Sequence, residues 1–585
     1  MAQQSVKLLL WISAFGVLIA VSIVVALILL ADSEPPRLVH RSRYLHVRVP
    51  TTLSDAPGNE GFLVDPVDMP ALTTELTAAV RAAATDEDIA GLFLEMNSLA
   101  IGWAQAQEIR SSIQEFQESG RPCVVWTENI GNKEYYLASV CDEVHLAPTG
   151  FTLVNGLSIT QLYFHDAFER FGVSSNFAHV GDFKSAIEPY ERSGPSEAAA
   201  TATHTLLDSL FSQLVTGIAE GRDLSFDEAL SLVNDPPMNP KMALETGLVD
   251  QLSYRDEVVD KILGESEGEL WHLSEYLSPL RKRWQNGDST VAVIHVDGTI
   301  ITGETNQDMF GGQFVGDRTI NRQLKDLRED ENVDAVVLRV NSPGGSGMAS
   351  DSIWREVELT KQVKPVVVSM GDYAASGGYY ISMGADRIVA QPGTLTGSIG
   401  VFGGKLNMEG LFKSLGVNPY TFERGEYSNI LSTTSDFDDD ELAKFQGFLD
   451  GFYDTFVNKA ATGRDMTFDQ LHEVAQGRVW TGEQALERGL VDELGGLNTA
   501  IAAAMELANI TGDVEILRLP ERRGFFEQLM EEISNPQPDA RVGLIEAQHP
   551  AVEQILDPYS ELLQVAAVLN SDGVAAMLPG TLEIH

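Results

Sequence analysis

Runs of apolar and β-branched residues recur along the chain, separated by stretches of a different period. Thr290–Val296 (TVAVIHV), Val333–Val340 (VDAVVLRV), Pro365–Ser369 and Arg387–Ala390 are short and largely apolar, the pattern of strands buried on both faces. Thr319–Leu327 and Ser350–Lys361 lie between them with helical spacing. Alternation of this kind predicts βαβ units and a mainly parallel sheet, an α/β fold. One run is of another kind. Leu8–Ala31 holds 24 residues without a charge, long enough to cross a bilayer at about 1.5 Å per residue. A secretory signal has an apolar core of about 7–15 residues, so this one reads as an uncleaved transmembrane helix. Ala31-Asp32-Ser33 leaves a cleaved reading open. Lys7 on one side, and Arg37, Arg41 and Arg43 diluted by Asp32 and Glu34 on the other, do not decide the orientation.

The pattern repeats. Ala335–Gly345 (AVVLRVNSPGG) echoes Gly91–Ile101 (GLFLEMNSLAI), and Asn341 minus Asn97 is 244. The same offset joins Tyr379 to Tyr135, Asp386 to Asp142, Pro392 to Pro148, Gly400 to Gly156 and Gly425 to Gly181. Further on, Gly463-Arg464-Asp465 and Gly489–Asp492 match Gly221-Arg222-Asp223 and Gly247–Asp250 at 242. The chain is therefore a tandem duplication: an anchor over 8–31, an N-terminal repeat over 43–265, a connection over 266–288, a C-terminal repeat over 289–518 and a tail over 519–585. The connection is polar and carries Pro279 and Arg281-Lys282-Arg283; the tail has a short apolar end, Val574–Leu578, with no evident chemistry.

Charge narrows the function. Forty basic against 85 acidic residues leave 40 − 85 = −45, which argues against a nucleic-acid partner, since such proteins need a basic footprint. A solvated acidic surface accounts for the excess, and a saline habitat fits it equally. Cys123 and Cys141 are the only cysteines, too few for a disulfide framework or a Cys-based zinc site. Both sit in apolar segments, and two buried thiols are expected.

Two glycine-rich turns follow strands in the second copy: Asn341–Gly345 (NSPGG) and Ala374–Gly378 (AASGG), the latter leading into Tyr379-Tyr380-Ile381. A serine between small residues at a strand-to-helix turn can present its Oγ, with free backbone N–H groups beside it for an oxyanion. Glycines in the other turn let a second backbone donor approach. A serine nucleophile needs a base. No histidine lies between His295 and His472, whereas a lysine held neutral by burial can serve. Lys184, in Gly181–Pro189 (GDFKSAIEP), stands in a segment otherwise poor in basic residues.

With these residues the chain resembles the long, tandem-domain bacterial form of the signal peptide peptidase A family, membrane-anchored serine proteases of the Clp protease/crotonase-like fold. VNSPGG, ASGGYYIS, LTGSIGV and FKSAIEP carry the resemblance, which covers about residues 45–515 and the anchor. It implies Ser376 as nucleophile, Lys184 as general base, Ser398 as a hydroxyl that aims the lysine, and Gly344 or Gly345 with Gly377 as the oxyanion hole. It also implies apolar peptide substrates such as cleaved signal peptides, no metal or cofactor, a homo-oligomeric ring (a tetramer in the family), and an inner-membrane location with the body outside the cytoplasm.

Subtraction supports a shared site without the family. Ser376 maps to Asn132, Gly344 to Ala100, Gly377 to Lys133 and Ser398 to Val154, while Lys184 maps to Ser428. Copy one has the lysine and copy two the rest, so one site assembled across the copies is expected. A crotonase-like acyl-CoA enzyme and an inactive membrane scaffold are the alternatives. Asp436–Glu441 lacks the alternation of a calcium loop and reads as an acidic helix start. Tyr379-Tyr380 recurs as Tyr135-Tyr136 in the depleted copy, which marks core packing.

Overall fold

The computed structural model describes residues 43–57, 71–264, 268–307, 313–520 and 574–577. The apolar run Leu8–Ala31 lies outside them, and among the described residues no helix is long and apolar enough to cross a membrane. In copy one the strands are β1 (Arg43–Arg48), β2 (Ile89–Met96), β3 (Cys123–Ile130), β4 (Glu143–Thr152), β5 (Ser174–Val180), β6 (Gln251–Leu252) and β7 (Glu269–His272). All but β5 form one parallel sheet in the order β6-β4-β3-β2-β1-β7. Copy two follows with β8 (Ser289–Asp297), β9 (Thr299–Ile301), β10 (Asn306–Gln307), β11 (Gln313–Gly316), β12 (Ala335–Ser342), β13 (Gly344–Ser346) and β14 (Val366–Ala375). Then come β15 (Arg387–Ala390), β16 (Leu395–Gly397), β17 (Val401–Asn407), β18 (Val479–Thr481), β19 (Glu493–Leu494) and β20 (Val514–Leu519), and near the carboxyl end β21 (Val574–Met577).

The second main sheet runs β18-β16-β14-β12-β8-β20, with β15 also paired to β14 and β19 to β15. Its middle strands are buried on both faces: Val336, Leu338, Val366 and Val368 pack with Tyr379 and Tyr380, while Val337 and Val367 meet Ala500 and Ala504 of helix Leu497–Leu507. Both tyrosines of the repeated pair are fully buried. The acidic start of helix Asp439–Gly463 is a capping box built from Asp438 and Glu441.

Two elements depart from the sequence expectation. The connection is folded: β7 pairs with β1, and helix Leu273–Trp284 buries Tyr276 and Leu277, tolerating Pro279 within it. Cys123 and Cys141 form a disulfide, not two thiols. Asp142 explains it: its N–H donates to the Cys123 carbonyl and its carboxylate accepts from the Cys123 N–H. That brackets the adjacent Cys141 against the start of β3 at a Cα–Cα distance of 4.9 Å, inside the range a disulfide spans.

A third sheet, β10-β11-β9-β13-β21-β17-β5, draws on both copies. β5 leaves its own copy and pairs antiparallel with β17 of the other, Val180 facing Val401 and Ser174 facing Asn407. A buried charge cluster adds to the join. Arg339 of β12, 1% exposed, donates to Asp55 at 2.9 Å and Glu108 at 2.8 Å, both from copy one, and to Ser369 Oγ. Asp372 of β14 accepts from the N–H groups of Ala104 and Gln105 in the first turn of copy one's helix Trp103–Gln117, where those donors have no intrahelical partner.

Candidate active site

The β5–β17 register sets the site. β5 ends at Val180, opposite Val401 where β17 begins, so the chain leaving β5 and the chain entering β17 meet at one place: Gly181–Lys184 from copy one and Ser398 from copy two. Gly181 turns at φ 110°, and Lys184 closes the turn by donating its N–H to the Gly181 carbonyl. A second turn, Gln476-Gly477 of copy two, seats this segment. Phe183 N–H donates to the Gln476 carbonyl at 2.9 Å, and the Arg478 guanidinium lies over the Phe183 ring at 4.9 Å.

Ser376 sits between β14 and the short helix Gly377–Ser382, at φ 55° and ψ −110°. A non-glycine residue in such a conformation costs about 1–3 kcal/mol. Backbone bonds hold it there: Ser376 N–H to the Gly397 carbonyl and Tyr380 N–H to the Ser376 carbonyl, each 2.8 Å. Ser398 is likewise at positive φ, 50°, pinned by its N–H to the Arg478 carbonyl.

The three side chains converge. Lys184 Nζ lies 2.8 Å from Ser376 Oγ and 3.0 Å from Ser398 Oγ, and it donates to the Ser398 carbonyl at 3.2 Å. All three residues are buried: Lys184 is 1% exposed and both serines 0%. The sequence pattern suggests an exposed turn for Ser376; in the structure Lys184 from the other copy closes over it, and β21 pairs with the adjacent glycine turn. No carboxylate among the described residues pairs with Lys184, and burial alone holds its amine well below the usual lysine range. A neutral amine has two N–H donors and one lone pair. With the donors directed at the two Ser398 oxygens, the lone pair is left for the Ser376 hydroxyl. Such an arrangement can take a proton from serine and return it to a leaving group.

The glycine turn lies alongside. A Cβ built on Gly377 would fall 3.1 Å from Gly344 Cα and from the Gly345 nitrogen, so the three expected oxyanion glycines are neighbours. Gly344 and Gly345 take φ 106° and 154°, a region that suits glycine. The Gly344 N–H donates to Ser342 Oγ at 3.2 Å and would have to turn from it to reach an oxyanion. Gly377 is the first helical residue, where the N–H has no intrahelical partner.

The family model for Peptidase family S49 matches residues 115–267 and again 358–511. Among curated relatives, "Protease 4" of Haemophilus influenzae is 35% identical over 468 residues, spanning 76% of this chain and 74% of that one. "Serine protease SPPA, chloroplastic" of Arabidopsis thaliana is 34% identical over 437 residues, 73% of this chain and 64% of its own length. The chain belongs to peptidase family S49. It is a serine protease, and the doubled family match falls on the two copies. Among solved structures, a membrane-bound stomatin-specific protease with a bound substrate peptide covers 43% of the S49 chain and 99% of its own, at 17% identity and TM-score 0.27.

Sequence reasoning missed Gly477, Arg339 and β21. The first two had a signal: they break the repeat. Arg339 stands where copy one has Glu95, and Gly477 where the 242 offset gives Asp235.

Proposed function

We propose that this S49 protease is a membrane-anchored endopeptidase that cleaves apolar peptides, remnant signal peptides among them, with a Ser376–Lys184 dyad built from both copies. The carrying observation is a buried lysine amine 2.8 Å from the serine hydroxyl, with no acid beside it among the described residues. Ser376 attacks the carbonyl, Lys184 takes its proton, Ser398 aims the amine, and Gly377 with Gly344 or Gly345 holds the oxyanion. Apolar substrates suit the buried apolar cluster beside the glycine turn, where Ala186, Ile187 and Phe402 pack with Ala575 and Met577 and against Phe177 and Ile301. The domain reading is a Clp protease/crotonase-like unit repeated over 43–265 and 289–518, with an anchor at 8–31. A disulfide between Cys123 and Cys141 suits an oxidising compartment, which supports an inner-membrane protein with its body outside the cytoplasm.

The repeat also points to a ring. Counterparts of β5 and β17 under the 244 offset are 418–424 and 157–163. Neither forms a strand, and Tyr420 and Phe422 stand 81% and 87% exposed. Pairing 418–424 of one chain with 157–163 of the next would repeat the β5–β17 contact between chains, and a head-to-tail interface whose rotation closes generates a ring. On the family resemblance, the ring we propose is a tetramer.

The test is labelling with a serine-directed phosphonate, together with hydrolysis of a synthetic signal peptide. Ser376→Ala should lose both and keep its melting temperature; turnover in that variant overturns the assignment. Removing residues 1–36 should release an active protein from the membrane fraction.

A further inference from the structure

The strand that delivers the nucleophile changes partners just before it does so. β14 pairs with β15 over Val367–Ser369 and with β16 over Tyr373–Ala375, and β16 runs directly into Ser398. Between the two pairings β14 bulges. Val340 of β12 lies opposite Met370 and Ser342 opposite Ala374, so Asn341 faces Gly371, Asp372 and Tyr373 together. A bulge bends its strand and re-aims the residues beyond it; here those are Ala374, Ala375 and Ser376. Asn341 fills the bulge. Its Oδ1 accepts from the Tyr373 N–H at 3.2 Å, and a Cβ on Gly371 would fall 3.1 Å from Asn341 Cβ and Oδ1. Its Nδ2 donates to Asp297 Oδ1 at the end of β8, 2.9 Å away, and its carbonyl accepts from the Gly298 N–H.

A side-chain amide has one donor end and one acceptor end, so the carboxylate at Asp297 fixes which end meets the Tyr373 N–H. Asn341 is also the first residue of the glycine turn that carries Gly344 and Gly345. One side chain therefore ties the end of β8, the glycine turn and the bulge before Ser376 into a single unit. In copy one, which has no nucleophile, the counterpart Asn97 is exposed. Resting on the dyad reading, we propose that Asn341, oriented by Asp297, is the positioning residue that sets the oxyanion glycines against Ser376 and Ser398. The pair can be inverted. Asn341→Asp keeps an acceptor for Tyr373 but sets a second carboxylate against Asp297. Burial already pushes the Asp297 pKa up to about 6, with Asp55 and Asp372 raising it and Arg339 opposing them. Two carboxylates in contact do not both stay ionised and share a proton as pH falls. Adding Asp297→Asn exchanges the ends: the carboxylate at 341 then accepts from Tyr373 and from the amide at 297.

The experiment measures kcat and KM of the purified full-length protein on an apolar peptide across pH, with the melting temperature alongside. Asn341→Asp should lower kcat about 100-fold, the cost of a misplacement near 1 Å, with KM little changed. Its kcat relative to wild type should rise as the medium is made mildly acidic. The swapped pair, Asn341→Asp with Asp297→Asn, should recover most of the loss and follow the wild-type pH profile. Asp297→Ala frees the amide to turn and should lower kcat about tenfold, the worth of one hydrogen bond to a charged group; it decides the matter if Asn341→Asp does not fold. Wild-type kcat with only a lower melting temperature in these single variants refutes the inference, as does a loss confined to KM or a swapped pair no faster than Asn341→Asp. Ser376→Ala separates the two readings. If it is dead while Asn341→Asp is fully active, the inference alone fails; if it turns over like wild type, the dyad falls and the inference with it.

Discussion

Gly477 lies 293 residues from Lys184 (477 − 184), yet a single methyl group there should disable the lysine. Gly477 takes φ 78°, and a Cβ on it would meet Lys184 N and Cβ at 2.6 Å and Cα at 2.7 Å. Ordinary contact begins near 3.4 Å, so relief requires a shift of at least 3.4 − 2.6 = 0.8 Å. Neither side yields easily. Gly477 N–H is bonded to the Ile399 carbonyl at 2.7 Å, and Phe183 N–H to the Gln476 carbonyl. Positive φ in a non-glycine costs about 1–2 kcal/mol, and forcing extra volume into a packed contact about 1–3 kcal/mol. Together these give about 2–5 kcal/mol. The catalytic effect is separate. Moving Lys184 back by 0.8 Å stretches its 2.8 Å reach to Ser376 beyond hydrogen-bond distance, and a misplacement of about 1 Å costs about 100-fold in rate. Gly247→Ala is the control: Gly247 has φ 74° with nothing within 4 Å of its Cβ, so it carries the strain without the collision. We expect Gly477→Ala to lower kcat/KM about 100-fold while Gly247→Ala changes only the melting temperature. Equal kcat/KM in the two variants would refute the account of how Lys184 is held.

Lys184→Met should lower kcat/KM by about 10²–10⁴, and Lys184→Arg should not rescue it, because arginine stays protonated. In the wild type kcat/KM should rise with pH through the depressed lysine pKa, since protonation below it occupies the lone pair; a flat profile would name another base. Because the unfolded chain holds the Lys184 proton to higher pH than the folded one, stability should rise with pH between the two pKa values, and urea titrations of Lys184→Met should lack that slope. Arg339→Leu leaves Asp55 and Glu108 buried without their cation and should cost about 3–5 kcal/mol in denaturant unfolding; adding Asp55→Asn and Glu108→Gln should recover part of it. The proposed ring predicts that the wild type is oligomeric by light scattering and that Phe422→Asp runs as single chains with Lys184 and Ser376 left in place; a wild type that is already monomeric refutes the ring.

Much of this was legible in the chain because strand signals and the repeat are local. Arg387–Ala390 is β15 residue for residue, and Thr319–Leu327 lies within helix Asp317–Glu329. That Lys184 and Ser376 would share one site was expected from subtraction, since each copy alone lacked part of the chemistry, while Ser398 came with the family resemblance. What stayed hidden depends on long-range pairing. The burial of Ser376 comes from a segment 192 residues earlier (376 − 184), and the disulfide from a bracket by Asp142 that apolar flanks do not announce. β21 pairs still further back: Ala575 faces Phe402 (575 − 402 = 173), and Met577 faces Gly344 (577 − 344 = 233). Four residues of ordinary composition carry no sign of so distant a pairing.

Where the copies differ, the differences are complementary. At one repeat position copy two has Arg339, which reaches across to Asp55 and Glu108, and copy one has Glu95, bound within its own copy by His46, Arg48 and Arg255. At another, copy two has Ser376 against Lys184, and copy one has Asn132, whose amide closes its own turn through the Gly156 N–H and carbonyl. A third pair sets β5, docked on β17, against 418–424, left exposed. Each difference turns one copy's residue toward the other copy and the equivalent residue inward or outward. Two identical copies would present two equal faces and could pair in more than one way. These substitutions leave one pairing within the chain that satisfies the buried charges, and the same pairing is the one that brings the lysine to the serine.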